Sequence, residues 1–428
     1  MTDKSDGLQG RAMTRVVAAS FVGAMLEWYD FFLFGTASAL IFAPLFFPQY
    51  DALTGTIASF ATFGVGFFMR PIGGIIFGHF GDIVGRRVTL IWTLLIVGLS
   101  TFVIGLLPTY EQGGLLAPIL LVICRLVQGF GLGGEYGGAA LLTIESAPMA
   151  RRGFFGSIPQ SAASVGIMTA TGVLALCNSV MDQETFMSYG WRIPFLISAV
   201  FLIAGMYIRL KTEEPAEFVK AKKEQTKKEI PIIEVFKQHP KNIFLAIGAR
   251  LAETVSSNII NAFGMAYITT TLMLDKSVPL VGMMVASAIG IFMCPVYGWL
   301  SDKIGQRKIY IFGAGFCVLF AYPFFMLLNT ENMAVIVFAL IIAYNLGPTS
   351  MFAVQPTMFS KMFGARVRYT GLSFAYQFSA ILGGLTPLIS STLFSWADQK
   401  YYLVAGYLAL IGLIAVFSVI AIKPQTKV

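Results

Sequence analysis

Charge is what this sequence has least of. Only 12% of its 428 residues are Asp, Glu, Lys or Arg, about half the share of a water-soluble globular domain. That shortage excludes the two or three soluble domains the length would allow. Histidine is nearly missing, with His79 and His239 alone. The four cysteines, Cys124, Cys177, Cys294 and Cys317, fall in apolar stretches without a C-x-x-C pair. A structural zinc site needs four nitrogen or sulfur ligands at motif spacing, so no metal is expected and the thiols read as buried and inert. No G-x-x-x-x-G-K-[ST] loop occurs, which argues against transport driven by ATP in this chain. No nucleophile–base pair appears, so an enzyme is not expected. The opening MTDKSDGLQGRAMTR has no short apolar core with a small-residue cleavage site, so a removable signal peptide is not expected either.

One apparent motif fails on context. GFGLGG, residues 129–134, fits G-x-G-x-x-G letter for letter. The dinucleotide reading requires a preceding strand and an acid about twenty residues on. Here the run lies inside an apolar segment and Glu145 is too near, so close helix packing explains the glycines better.

Long apolar runs are abundant instead. Hydrophobic residues make up 56% of the chain, and runs such as VTLIWTLLIVGLSTFVIGLL (88–107) approach the roughly 20 residues that cross a bilayer. Hydropathy predicts twelve helices: 15–42, 53–80, 88–107, 115–146, 154–177, 191–210, 242–272, 279–300, 307–328, 332–362, 369–394 and 402–422. Between the sixth and seventh, the charged stretch 211–241 with its prolines reads as a water-exposed linker. The expected organisation is a six-helix bundle at 1–210, a cytoplasmic linker at 211–241 and a second six-helix bundle at 242–428. The net charge of +8 is not a nucleic-acid footprint. Of the 30 Lys and Arg, 24 lie at the termini and in the even-numbered connections, against Arg192, Lys276 and Lys400 on the other side. By the positive-inside rule both termini are expected in the cytoplasm.

The halves echo each other. GHFGDIVGRR from Gly78 and GWLSDKIGQR from Gly298 both fit G-x-x-x-D-x-x-G-x-R, 220 residues apart. A weaker echo pairs RRGFFGSIPQ (151–160) with RYTGLSFAYQ (368–377). Transporters built from internal repeats place their binding site between the pseudo-symmetric bundles.

This layout resembles the major facilitator superfamily. EWYDFFLFG (27–35), FATFGVGFFMRPIGGIIFGHFGDIVGRR (60–87), RLVQGFGLGGEYGGAALLTIESAP (125–148) and YGWRIPF (189–195) resemble its metabolite:proton symporter branch. The resemblance implies an all-α membrane protein of twelve helices in two pseudo-symmetric bundles, monomeric, in a bacterial-type inner membrane. It also implies a small-molecule cargo such as shikimate, 2-oxoglutarate, citrate, proline or betaine, with the proton as coupling ion and no other cofactor. RLAETVSSNIINAF (250–263) and QPTMFSKMFGARVRYTG (355–371) are most similar to shikimate-type members. Drug–proton antiporters of the superfamily carry a GPxxGG-like signature where this chain has GSIPQSAASVG (156–166), which favours import over export. The expected function is proton symport of a small carboxylate by alternating access. The rivals are a zwitterionic osmolyte symporter of the proline/betaine kind and a solute-sensing membrane receptor. By resemblance Gly78, Asp82, Gly85, Arg86 and Arg87, repeated by Gly298, Asp302, Arg307 and Lys308, form gating latches. A latch carboxylate can accept N–H bonds at a neighbouring helix start, and Gln306 stands where the first copy has Arg86.

Charges inside the apolar runs are the remaining candidates. Each costs roughly 2.5–3.5 kcal/mol at mid-membrane on insertion scales and marks function by default. At 1.5 Å per residue, Glu27, Arg125 and Arg250 lie about 18, 15 and 12 Å along their helices, near a common depth. Three arginines (Arg70, Arg125, Arg250) face four acids (Glu27, Asp30, Glu135, Glu253), leaving one acid over as a proton carrier. Asp30, with Glu27 as partner three residues away on one face, is the first choice for the proton. Arg70 and Glu135 are charge partners. Arg125 and Arg250 suit a substrate carboxylate, since guanidinium offers a planar fork. Glu253, one turn from Arg250, either clamps it or bonds a substrate hydroxyl. Tyr29, Asn258, Gln355, Tyr376 and Gln377 are hydrogen-bonding candidates for substrate, as are Asn261, Tyr267, Tyr344 and Asn345.

Overall fold

The computed structural model describes residues 11–84, 86–133, 143–144, 147–211, 236–237, 240–363 and 368–422. Within them run twelve long helical segments and no strand. They are α1 (Arg11–Leu40), α2 (Ala52–Val84), α3 (Arg86–Ile104), α4 (Leu116–Leu132), α5 (Met149–Val180), α6 (Ile193–Lys211), α7 (Pro240–Thr271), α8 (Ser277–Ile304), α9 (Gln306–Leu328), α10 (Met333–Ser360), α11 (Arg368–Gly384, continuing as Thr386–Trp396) and α12 (Tyr402–Ala421). Most of the 211–241 linker lies outside the described residues.

Backbone chemistry explains why only helices occur. In hydrocarbon every N–H and C=O must be satisfied within its own segment. Outward faces carry large exposed apolar side chains, Ile203, Phe292, Leu319 and Phe417 among them, where a soluble protein would place charge. Inside the first bundle α2 packs on α4 through glycines. A Cβ at Gly129 would overlap the carbonyl of Gly66, and one at Gly133 would overlap that of Arg70. Gly129 and Gly133 are thus contact points between helices.

Several spans are broken, and proline supplies the reason. Pro348 has no N–H to continue a helix, and α10 splits at Gly347 into Met333–Leu346 and Pro348–Ser360. Likewise α5 interrupts at Ser161 after Pro159, and α11 at Leu385 before Pro387. The seventh span departs most from expectation. Where hydropathy implies one regular helix, Ile259–Phe263 and Tyr267–Thr271 are π turns.

The two bundles touch along three seams. On the side bearing the termini, the start of α5 packs on the end of α8 and on α10. On the far side, α1 meets the first π turn of α7, and α2 meets Thr386–Trp396. A third link crosses the far face. The amine of Lys276, just before α8, donates to Met187 Sδ at 3.4 Å and sits 5.7 Å from the Phe186 ring. Both partners belong to the short helix Gln183–Ser188, whose first turn is capped by Asp182. Hydrogen bonds from the Thr185 N–H and hydroxyl hold that exposed carboxyl below its usual range.

Candidate functional site

Between the seams lies a chamber with about 610 Å³ of space among its lining atoms, solvent at its mouth included. Only about 40 Å³ of it is wide enough to admit the centre of a water-sized sphere, so the chamber is narrow. Helix α1 presents Trp28, Phe31 and Phe32 to it. At about 100° per residue, this triplet puts Glu27 on the flank of the wall and Asp30 on the back of the helix. Asp30 is buried but does not line the chamber, so the first choice for the proton is displaced by helix geometry. Glu27 keeps its place at the edge, because Arg70 and Tyr376 both lie in its field.

The two chamber arginines come from different bundles. Arg70 of α2, expected only as a charge partner, is on the wall, stacked 4.7 Å from the Phe67 ring and 5.4 Å from Phe31. Arg250 of α7 faces it, and each arginine feels the other's charge. Its Nη1 donates to the Tyr376 carbonyl at 2.9 Å and to Ser379 Oγ at 2.6 Å, with Cζ 3.4 Å from the centre of the Tyr376 ring. Its Nε has no partner. One turn further, Glu253 also lines the chamber, 7% exposed, and its Oε2 accepts no hydrogen bond. The Arg250 fork is spent on α11 rather than on Glu253, which differs from a plain internal salt bridge.

Arg125 is not in this group. It is 1% exposed, donates from Nε to the Phe63 carbonyl at 3.1 Å and from Nη1 to Gln128 Oε1 at 2.6 Å, and Gln128 in turn donates to Thr101 at 2.9 Å. The Phe34 and Phe63 rings lie 4.5 and 4.7 Å from its Cζ. Arg125 therefore ties α2, α3 and α4 together inside the first bundle, and its expected substrate role finds no geometry here. Tyr29 likewise turns to α6, donating to the Pro194 carbonyl at 2.7 Å. Gln377 donates to the Gly133 carbonyl at 3.2 Å, closing α11 on the end of α4. Gln355 is buried one turn below Phe352, with neither end of its amide bonded, and is not on the wall. Asn258 and Tyr376 are on the wall. Of Gly78, Asp82, Arg86 and Arg87 only the backbone is described, and Gly85 and Glu135 lie outside the described residues.

The opposite wall is polar but uncharged, and sequence reading largely missed it. Gln160 and Ser164 of α5 line it with Tyr344 and Thr349 of α10. The Ser164 and Tyr344 hydroxyls meet at 3.0 Å across the bundle seam, and Thr349 stands beside Tyr344. The available signal was the i, i+4 spacing of Gln160 and Ser164 in an otherwise apolar helix.

In the second copy of the motif, the carboxylate sits at a neighbouring helix start. Asp302 accepts from the Gly153 N–H at 2.7 Å and the Phe154 N–H at 2.9 Å, the free donors of α5's first turn. Only glycine fits at Gly298, because a Cβ there would overlap Ser157 and the Gly153 carbonyl. Replacing Asp302 with Ala leaves two helix-start donors uncapped, a loss of about 1–2 kcal/mol. The expected result is roughly tenfold faster labelling of Cys294 by a charged thiol reagent. That thiol lines the chamber and donates to the Ser157 carbonyl across the same seam.

Two six-helix bundles around a site of buried charges are an architecture of membrane transporters. The sequence profile of the Major Facilitator Superfamily matches residues 20–387, and the chain belongs to that family. It is 41% identical over 417 residues to a shikimate transporter of Escherichia coli strain K12, covering 96% of this chain and 95% of the relative. It is 34% identical over 409 residues to a putative proline/betaine transporter of Staphylococcus aureus strain COL, covering 94% and 87%. Among solved structures, a D-xylose–proton symporter superposes with a TM-score of 0.74 at 17% identity, covering 97% and 98%. Relatives such as the E. coli inner membrane metabolite transport protein YhjE, 39% identical over 406 residues with 92% and 90% covered, agree with a multi-pass inner-membrane protein.

Proposed function

We propose that this protein imports a small hydroxylated organic acid of the shikimate type together with a proton. The observation that carries the reading is the pair on α7. Arg250 offers a free Nε donor and Glu253 a free Oε2 acceptor, one turn apart on the same wall. A substrate carboxylate binds the arginine. A proton resides on Glu253, where it displaces no existing hydrogen bond. Across the chamber Gln160, Ser164, Tyr344 and Thr349 suit hydroxyls rather than a second charge. With Arg70 and Arg250 in opposite bundles, an anion between them relieves their repulsion and draws the lobes together. Proton and solute then cross when the bundles rock. The basic excess on the side bearing the termini supports a cytoplasmic location for both ends.

The zwitterion reading has support in the proline/betaine relative, since Glu27 and Glu253 can face an ammonium group. Uptake by proteoliposomes under an inward proton gradient separates the two. Labelled shikimate should accumulate, and unlabelled shikimate should compete better than 2-oxoglutarate, citrate, benzoate, proline or betaine. Competition by proline or betaine alone overturns the organic-acid assignment, and binding without any uptake would return the sensing reading.

A further inference from the structure

The two copies of the loop motif differ by one cation. Gly298, Asp302, Gly305 and Arg307 match Gly78, Asp82, Gly85 and Arg87, but position 306 holds glutamine where the first copy has Arg86. The arginine that the motif does retain serves elsewhere. Arg307 donates to the Ile420 carbonyl at the end of α12, inside the second bundle. Lys303 lies 3.7 Å over the ring of Trp299, on its own helix. Neither of these two cations contacts Asp302.

Lys361 is placed to be that cation. It follows directly on the last turn of α10, the negative end of the helix dipole, where a cation is favoured. Its amine donates to Gln306 Oε1 at 2.9 Å, joining the end of α10 to the start of α9. Asp302 acts on it as an attractive charge and Arg152 of α5 as a repulsive one. A glutamine oxygen fixes the position of an ammonium group without neutralising it, so the charge stays available to Asp302. The same turn of α10 reaches α5 directly, through Thr357 Oγ1 to the Arg152 carbonyl at 3.4 Å.

We infer that Lys361 is a positioning residue of the α5–α8 latch, supplying from α10, through Gln306, the positive charge that the second loop motif lacks at position 306. It acts through Asp302, which it keeps aligned on the Gly153 and Phe154 N–H groups, and it touches no cargo. The inference is independent of which solute is carried.

The test needs no substrate. In full-length protein in liposomes, with Cys124, Cys177 and Cys317 changed to Ala, the rate at which a charged methanethiosulfonate modifies Cys294 reports opening of this seam. Lys361→Met is expected to raise the rate about fivefold, and Lys361→Arg to leave it within twofold of the parent. The double change Lys361→Met with Gln306→Arg moves the cation back to the position used by the first repeat, and should restore the parent rate within twofold. A purely structural contact of Lys361 would not be rescued by a charge placed on a different helix. Parent-like labelling of Lys361→Met overturns the inference, and so does a double variant that labels as fast as the single one.

Discussion

Replacing Arg250 with lysine should lower substrate affinity about 100-fold although the charge is kept. The guanidinium divides its work, Nη1 anchoring it to Tyr376 and Ser379 while Nε has no hydrogen-bond partner. Lysine has no fork with which to do both. Loss of one partner from a buried, hydrogen-bonded charge pair costs about 2–5 kcal/mol, and each 1.4 kcal/mol is about tenfold in affinity. Trp28 lines the same chamber, so titration of its fluorescence measures the change directly. Arg125→Lys is the contrast. That residue packs inside the first bundle, so the expected loss is in thermal stability and in the amount of folded protein, with little change in the affinity of what folds. Equal affinities for the Arg250 variant and the parent would remove the carboxylate site from α7.

Glu253→Gln should separate movement of the solute from movement of the proton. The side chain keeps its shape and its place one turn from Arg250, but can no longer gain and lose a proton. Exchange of labelled for unlabelled substrate at equal pH is expected to persist within about threefold of the parent. Accumulation under an inward proton gradient is expected to vanish, and the initial rate to become insensitive to pH. Undiminished accumulation would place the carrier elsewhere. Glu27→Gln is then the next variant, because Glu27 is the other acid whose field reaches the chamber arginine Arg70. Asp30→Asn is expected to leave coupling intact.

Helix positions, the repeat and the Asp302 latch were all legible in the sequence, for a common reason. Each is a property of one short stretch: apolar length sets a span, and a G-x-x-x-D spacing sets one turn with one carboxylate. Azimuth was not legible. Arg70, Arg125 and Arg250 lie at similar depth in runs apolar on every side, so nothing in the letters says which face looks inward. What retains Arg125 is a backbone carbonyl and phenylalanine rings, partners invisible to a search for opposite charges. The same ambiguity hides which way Asp30 faces, since the wall of α1 is formed by its aromatic residues and not by its acids. Gln160 and Thr349 were passed over because neutral polar residues in membrane helices serve helix packing as often as ligands. The π turns of α7 are not encoded by local propensity, and the first of them lies against α1.

Those two wide turns leave α7 with spare chain. Each holds about one residue more than the α-helix of equal height, and a residue tightened into α geometry advances the helix by about 1.5 Å and turns it by about 100°. The outer third of the segment thus has slack with which to re-aim Phe263 and Tyr267 while Arg250 and Glu253, on the regular part below, stay still.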